Sequence, residues 1–138
     1  MSAGFIVDAS VGFAWVHPSQ ATLETDRWLN AVAAGARVIV PSLWFLEMAN
    51  VLLMAQRRHR LTAMQRKAAL EKLAAMQFTV DEAAGRIAFG KVSELAEKYG
   101  LTIYDATYLE LALRRSLPLA SRDETLRSAA RGCGLKSP

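Results

Sequence analysis

The chain has 138 residues, 52% of them apolar and 22% charged, with 17 Lys and Arg against 13 Asp and Glu for a net charge of +4. That length makes one domain with room for a real core, and the balance excludes a disordered or low-complexity chain. An isoelectric point near 9.6 permits polyanionic partners but names none. A mean hydropathy of +0.14 is high for a small domain, so apolar surface covered by a partner or a second copy is expected. Cys133 stands alone and cannot close an intramolecular disulfide, so no oxidising compartment is required. Met1-Ser2-Ala3-Gly4 leads straight into a short apolar run without the pattern of a leader. The longest apolar stretch, residues 43–55, is interrupted by Glu47 and Asn50 and falls short of the ~20 residues that span a bilayer. A cytoplasmic protein with no membrane contact is the expectation.

In chain order, Phe5-Ile6-Val7 reads as a strand buried on both faces. Residues 22–34 carry helical spacing, and Val38-Ile39-Val40 is a second buried strand. Helices are predicted over residues 43–58 and 63–76, followed by a weaker strand at Phe78-Thr79-Val80. Further helices span residues 82–99 and 104–115, then a strand at Leu117-Pro118-Leu119-Ala120 and a short helix over 124–131. Gly35, Gly100 and Gly132 fall where helices should stop. Strand and helix in alternation predict an α/β fold, one domain over residues 1–138, with a mainly parallel sheet between helical layers. In such sheets ligands bind beyond the carboxyl ends of the strands, where strand order reverses.

Four acids stand out against this frame. Asp8 ends the first strand, Glu47 interrupts the apolar helix, Asp105 opens the helix at 104–115, and Asp123 follows the last strand. No Lys or Arg lies within a helical turn of Asp8, Glu47 or Asp105, and an unpaired carboxylate near a core costs several kcal/mol. Brought together at one sheet edge the four would repel, and a hard divalent cation such as Mg²⁺ turns that repulsion into binding. Each acid also has a local role open to it. Asp8 can cap the turn into a following helix with Ser10. Asp105 sits in Thr102-Ile103-Tyr104-Asp105, which has the form of a capping box, and Asp123 or Ser121 can cap the last helix. Glu47 resists such a role: with Ser42 as N-cap it lies too far along the helix. Asn50 shares its face at i, i+3 in a helix apolar nearly all round, a pattern that predicts burial.

His17, His59 and Cys133 share no metal-ligand spacing, which argues against zinc. Trp15, Trp28 and Trp44 are expected in the core, and Arg57-Arg58-His59-Arg60 is expected on a solvated helix end. No phosphate-binding loop, dinucleotide fingerprint or nucleophile elbow occurs. A phosphoreceiver domain would need an acidic pair early, an acceptor Asp after Val38-Ile39-Val40 and a Lys after the last strand, and all three are missing.

Four segments in order resemble the PIN-domain ribonucleases, most closely the VapC toxins of VapBC toxin–antitoxin pairs. They are Ile6-Val7-Asp8-Ala9-Ser10, the run from Pro41 to Asn50, the run from Tyr99 to Ala112, and the run from Leu117 to Asp123. Residues 56–98 match only in pattern. The resemblance implies a Mg²⁺- or Mn²⁺-dependent endoribonuclease whose four acids match Asp8, Glu47, Asp105 and Asp123. Ser10 and Asn50 match polar positions that commonly support those acids, and Ser121 stands where many relatives have Thr. Glu124 leaves open which of two adjacent acids faces the metal. On this reading Asp8 and Asp105 hold one ion, and Asp123 completes that site or helps to hold a second. Glu47 binds the other position or orients the attacking water. Arg57, Arg58, Arg122 and Arg127 are the candidate phosphate contacts. The resemblance also implies an RNA substrate, a homodimer, and an antitoxin seated in an apolar groove drawn from residues 13–15 and 43–54. The alternative is a non-catalytic PIN-type module that binds RNA or protein, although relatives of that kind usually lack one or more of the acids.

Overall fold

Four parallel strands form the centre of the molecule, whose computed structural model describes residues 4–138. They are β1 (Gly4–Val7), β2 (Arg37–Pro41), β3 (Thr79–Asp81) and β4 (Leu119–Ala120), in the spatial order β3-β2-β1-β4. Register pairs Phe5 with Val38, Ile39 with Thr79, and Val7 with Ala120. The chain moves outward from β1 to β3 and then returns to the other flank of β1, so strand order reverses between β1 and β4. That reversal point is where an α/β sheet opens a crevice. The central strands are apolar because both faces are covered: Ile6, Val7, Val38, Ile39 and Val40 are all buried.

The α/β expectation holds, with corrections at particular elements. The helices are α1 (Ala9–Val16), α2 (Leu23–Ala33), α3 (Leu43–Arg57), α4 (Ala63–Ala75), α5 (Ala84–Ile87), α6 (Ser93–Tyr99), α7 (Ile103–Arg115) and α8 (Glu124–Gly132). Helix α1 went unseen as a separate element because its eight residues, ASVGFAWV, are apolar nearly all round and show no helical period. The helix predicted over 82–99 is interrupted. A π turn at Ala88–Val92 separates α5 from α6, with the Ser93 hydroxyl donating to the Ala88 carbonyl at 2.6 Å. Gly132 lies inside α8, and the left-handed residue beyond it is Gly134 at φ +81°. Gly100 does end α6, at φ +65°, as a C-terminal glycine should. Strand β4 pairs only at Leu119 and Ala120, while Pro118 still accepts the Ile6 N–H through its carbonyl at 2.9 Å.

Thr22 with Thr25 and Thr62 with Gln65 close capping boxes at the starts of α2 and α4. Ser42 does not cap α3, because its backbone is already helical. Helix α7 lies against β1, β2 and β4, and α1 packs on α3. That last contact depends on Gly12, where a Cβ would sit 2.7 Å from both Met48 Sδ and Trp44 Cζ2. Trp15, Trp28 and Trp44 are core residues, as expected.

An ion network that sequence spacing did not reveal anchors α7. Asp81, at the end of β3 and 6% exposed, accepts two bonds from Arg114 at 2.8 and 2.9 Å and another from Arg115 at 2.9 Å. Glu110 holds the same Arg114 guanidinium. The Arg114 hydrogen bonds outweigh burial and hold the Asp81 carboxyl well below its ordinary range. Among the described residues no helix is long and apolar enough to cross a membrane.

Two substitutions test this packing. Gly12→Ala should destabilise by about 1–3 kcal/mol through overpacking at the α1–α3 contact, read as a lower urea midpoint with an unchanged m-value. Asp81→Asn should cost roughly 2 kcal/mol at pH 7, below the range for a fully buried pair because both guanidiniums are about a third exposed. A lowered folded-state pKa gives stability that is present above the unfolded value of 3.8 and lost as pH falls below it. The difference between wild type and variant should therefore close in acid.

Candidate active site

Each of the four acids enters at the carboxyl edge of the sheet by a different local device. Asp8 leaves β1 as the N-cap of α1 and is 4% exposed. One carboxylate oxygen accepts the Val11 N–H at 3.2 Å and the Ser10 hydroxyl at 2.6 Å. The other accepts the Ser121 hydroxyl at 2.5 Å. Both serines also take a backbone N–H from the loop after β4: Ser10 from Arg122 at 2.9 Å and Ser121 from Asp123 at 3.0 Å. The capping role open to Asp8 is therefore real, and the same bonds fasten it to the Asp123 loop. Desolvation outweighs these donors and raises the Asp8 pKa, with a further push from Asp105.

Glu47 lies in the second turn of α3, half-buried. Its carboxylate accepts the Tyr108 hydroxyl from α7, a short bond between two helices. Burial raises Glu47, and the charges of Asp105 and Asp8 raise it further against the pull of that hydroxyl. The Tyr108 phenol is itself pushed far up by burial and by Glu47, so it stays protonated as the donor. Tyr108 was missed in the sequence because an aromatic at helical spacing reads as core, which most of its side chain is. Asn50, expected beside Glu47, is exposed one turn further along, and the bond to Glu47 comes from Tyr108 instead. The expected burial of α3 is also only half right. Trp44, Met48, Leu52 and Ala55 face the core, while Leu46 is 73% exposed and Phe45 41%.

The capping role of Asp105 is partial. Its backbone N–H donates to Thr102 Oγ1 at 3.0 Å, the first arm of a box. Desolvation raises its carboxyl, then the charge of Asp123, with the Thr102 hydroxyl pulling the other way. Asp123 caps α8 through one oxygen, which takes the Leu126 N–H at 2.8 Å. Glu124 turns outward to Arg131 at 2.7 Å, so of the two adjacent acids Asp123 is the one on the site side. Charge influence thus links Glu47, Asp8, Asp105 and Asp123 in one group, with no cation among the causes that shift them.

Of the four arginines, Arg122 lies in the loop after β4, where its backbone N–H meets Ser10, and Arg127 Nη1 donates to the Ser121 carbonyl at 3.2 Å. Arg127 pairs with Glu24 at 2.7 Å, and Arg122 Nη1 reaches Gln20 at 3.4 Å. Arg57 and Arg58 end α3, ten residues beyond Glu47 and about 15 Å along the helix. An apolar groove of about 330 Å³ runs between α3 and α4, lined by Trp44, Phe45, Met48, Leu70, Leu73 and Phe78 among others. Residues 43–54 contribute to it as expected, whereas Ala14 and Trp15 are taken into the core.

The donor set consists of carboxylates only, the hard oxygens that suit Mg²⁺ or Mn²⁺. Among the described residues, no three His, Cys, Asp or Glu side chains stand close enough to enclose an ion by themselves. Mg²⁺ usually takes one or two protein carboxylates and fills its octahedron with water and substrate phosphate oxygens. An open acidic edge fits that habit better than a closed cage would.

The chain matches the PIN domain over residues 5–132. It belongs to the PIN domain family. Solved structures share the fold. PAE2754 from Pyrobaculum aerophilum superposes with a TM-score of 0.69 at 24% identity, over 94% of this chain and 81% of that one. VapBC2 from Rickettsia felis, bound to a DNA fragment from its promoter, gives 0.67 at 12% identity over 98% and 97%. FitAcB from Neisseria gonorrhoeae gives 0.65 at 17% identity over 96% and 95%. No curated protein matches the sequence.

The raised carboxyls have a measurable consequence. A folded-state pKa above the unfolded one makes stability fall as pH rises from the unfolded value through the folded one. In EDTA, Asp105→Asn should therefore melt at or above the wild-type temperature at pH 7. The advantage should shrink as pH falls through and below the unfolded value of 3.8, where the acids become protonated in both states. A variant destabilised equally at neutral and acid pH would assign Asp105 to capping instead.

Proposed function

We propose that this PIN domain is a metal-dependent endoribonuclease, the toxin half of a toxin–antitoxin pair. The observation that carries the reading is the group of four acids at the strand-reversal edge. Three of them have raised pKa values, and no cation is among the groups that shift them. Elsewhere the same chain neutralises Asp81, Glu110, Glu24 and Glu124 with arginines. Leaving this set unpaired favours a ligand that brings positive charge.

Asp8 and Asp105 are the residues that would hold the ion, with Asp123 beside them. When bound, Mg²⁺ or Mn²⁺ supplies a Lewis acid that activates water and offsets charge on the phosphate. Glu47, its pKa raised by burial and its carboxylate fixed by the Tyr108 hydroxyl, takes the proton from the attacking water. Water adds to phosphorus, the bond to the 3′ oxygen breaks, that oxygen takes a proton from solvent, and Glu47 returns its own proton to bulk water. The products are a 5′-phosphate and a 3′-hydroxyl. Ser10 and Ser121 keep Asp8 aimed by donating to both its oxygens, and they offset part of the desolvation that raises its pKa.

The groove between α3 and α4 supports a protein partner. VapBC2 and a Klebsiella pneumoniae structure described as a toxin–antitoxin complex share this fold, the latter at a TM-score of 0.55 and 19% identity. We assign the groove to the apolar segment of a small antitoxin, and assembly to a homodimer in the cytoplasm.

Purified protein incubated with total RNA should cleave it in Mg²⁺ or Mn²⁺ and not in EDTA. Asp8→Asn and Asp105→Asn should each lower the rate by about 100-fold or more. Asp105→Asn is the cleaner variant, because the Asp8 carboxylate also braces the fold. End-mapping should find 5′-phosphates, and 2′,3′-cyclic phosphate ends would overturn the water mechanism. Cleavage that persists equally in both variants is contamination. No cleavage of any RNA would favour the non-catalytic binding module.

A further inference from the structure

We propose that the turn joining α3 to α4, with the first turns of α4, is a second contact surface for RNA: a platform for backbone phosphates remote from the acids. The reading of the acid site supplies the identity of the polyanion; the surface itself rests on separate observations. Residues 57–67 contain Arg57, Arg58, Arg60, Arg66 and Lys67 and no acid. With a whole-chain charge of +4, the remaining residues are left at −1. This hairpin therefore carries a net +5, more than the +4 of the whole chain.

Arg57, Arg58, Arg60 and Lys67 are exposed. Among the described residues, ion pairs join Arg114, Arg115, Arg127 and Arg131 to carboxylates, and none involves the five cations of this hairpin. Like charges packed this densely repel, and no ion pair among the described residues offsets them. The hairpin is nevertheless held stiff. The Arg60 N–H donates to the Ala55 carbonyl at 2.8 Å, and His59 adopts a left-handed conformation at φ +60°. Arg66 Nη1 reaches across to Gln56 Oε1 at 3.2 Å, while its buried Nε has no partner. Guanidiniums fixed on a rigid support suit phosphate, which they bind through paired N–H donors.

Geometry decides what the platform reads. Helix α3 starts at the carboxyl edge of the sheet just after β2, so Glu47 and Arg57 sit about 15 Å apart along one axis. A phosphate at the acids and a phosphate at the turn cannot be neighbours in a compact dinucleotide. They belong to separate parts of one RNA, which favours a folded substrate long enough to span both. Unpaired acids repel an approaching polyanion, and unpaired cations at the far end of the same helix steer it in. Such contacts set position and affinity and do not read sequence.

The test is a binding titration in EDTA with a two-turn hairpin RNA, for wild type and for the combined Arg58→Gln, Arg60→Gln and Lys67→Gln variant. The variant should bind more weakly. Its plot of log K against log salt should be shallower by about 2 to 3, since each neutralised phosphate contributes about 0.7 on single strands and about 0.9 on duplex. Lysine in place of the two arginines, with Lys67 left intact, should restore the slope, which a merely structural role would not do. An unchanged slope overturns the platform. So does unchanged RNA binding coupled with lost affinity for an acidic peptide, which would assign the surface to a protein. The two proposals fail separately. Variant-sensitive binding without metal-dependent cleavage by wild type would keep the platform and remove the nuclease. Cleavage with variant-insensitive binding would do the reverse.

Discussion

One buried carboxylate organises this molecule. Asp8 stands where β1 ends, and several of the bonds that shape this edge begin or end on it. Its side chain caps α1 and takes the Ser10 and Ser121 hydroxyls, and its carbonyl accepts Trp44 Nε1 at 3.1 Å. Its N–H completes the pairing to Ala120 at 3.2 Å. Elements from four parts of the chain are thereby brought to one point. In a low-dielectric interior such a network is worth much when complete and costs much when broken. The local role of Asp8 and its proposed chemical role are not rivals, because the bonds that cap α1 also aim the carboxylate.

Much of this was legible in the sequence, for identifiable reasons. The strands β1 and β2 announced themselves because burial on both faces demands continuous apolar runs, and the four acids stood out by interrupting such runs. What stayed hidden depends on contacts across long sequence separations. Nothing near Glu47 names Tyr108, 61 positions away, and nothing near Asp81 names Arg114 and Arg115. Helix α1 was too short and too uniformly apolar to show a period. Asn50 misled for a related reason: sharing a face with Glu47 does not fix which neighbour reaches it. Nor does the sequence reveal that Arg131 draws Glu124 outward, away from its neighbour Asp123.

Charge is distributed here by segregation. Internal ion pairs neutralise Asp81, Glu110, Glu24 and Glu124, while two clusters of like charge stay unpaired. One is the acidic group around Glu47; the other is the cation-rich turn at the opposite end of α3. A single helix therefore joins two regions of opposite unsatisfied charge, each held by rigid packing. That polarity is a property of the fold itself.

The edges of the sheet carry one more consequence. Strands β3 and β4 are three and two residues long, so the sheet presents almost no unpaired main chain along either flank. A visiting polypeptide has too little backbone there to extend the sheet by adding a strand. Recognition of a protein partner is thereby confined to side-chain packing, and specificity must be written in the shapes of residues such as Phe45 and Leu46. Strand-swapped aggregation, the common hazard of small parallel sheets, is closed off by the same brevity.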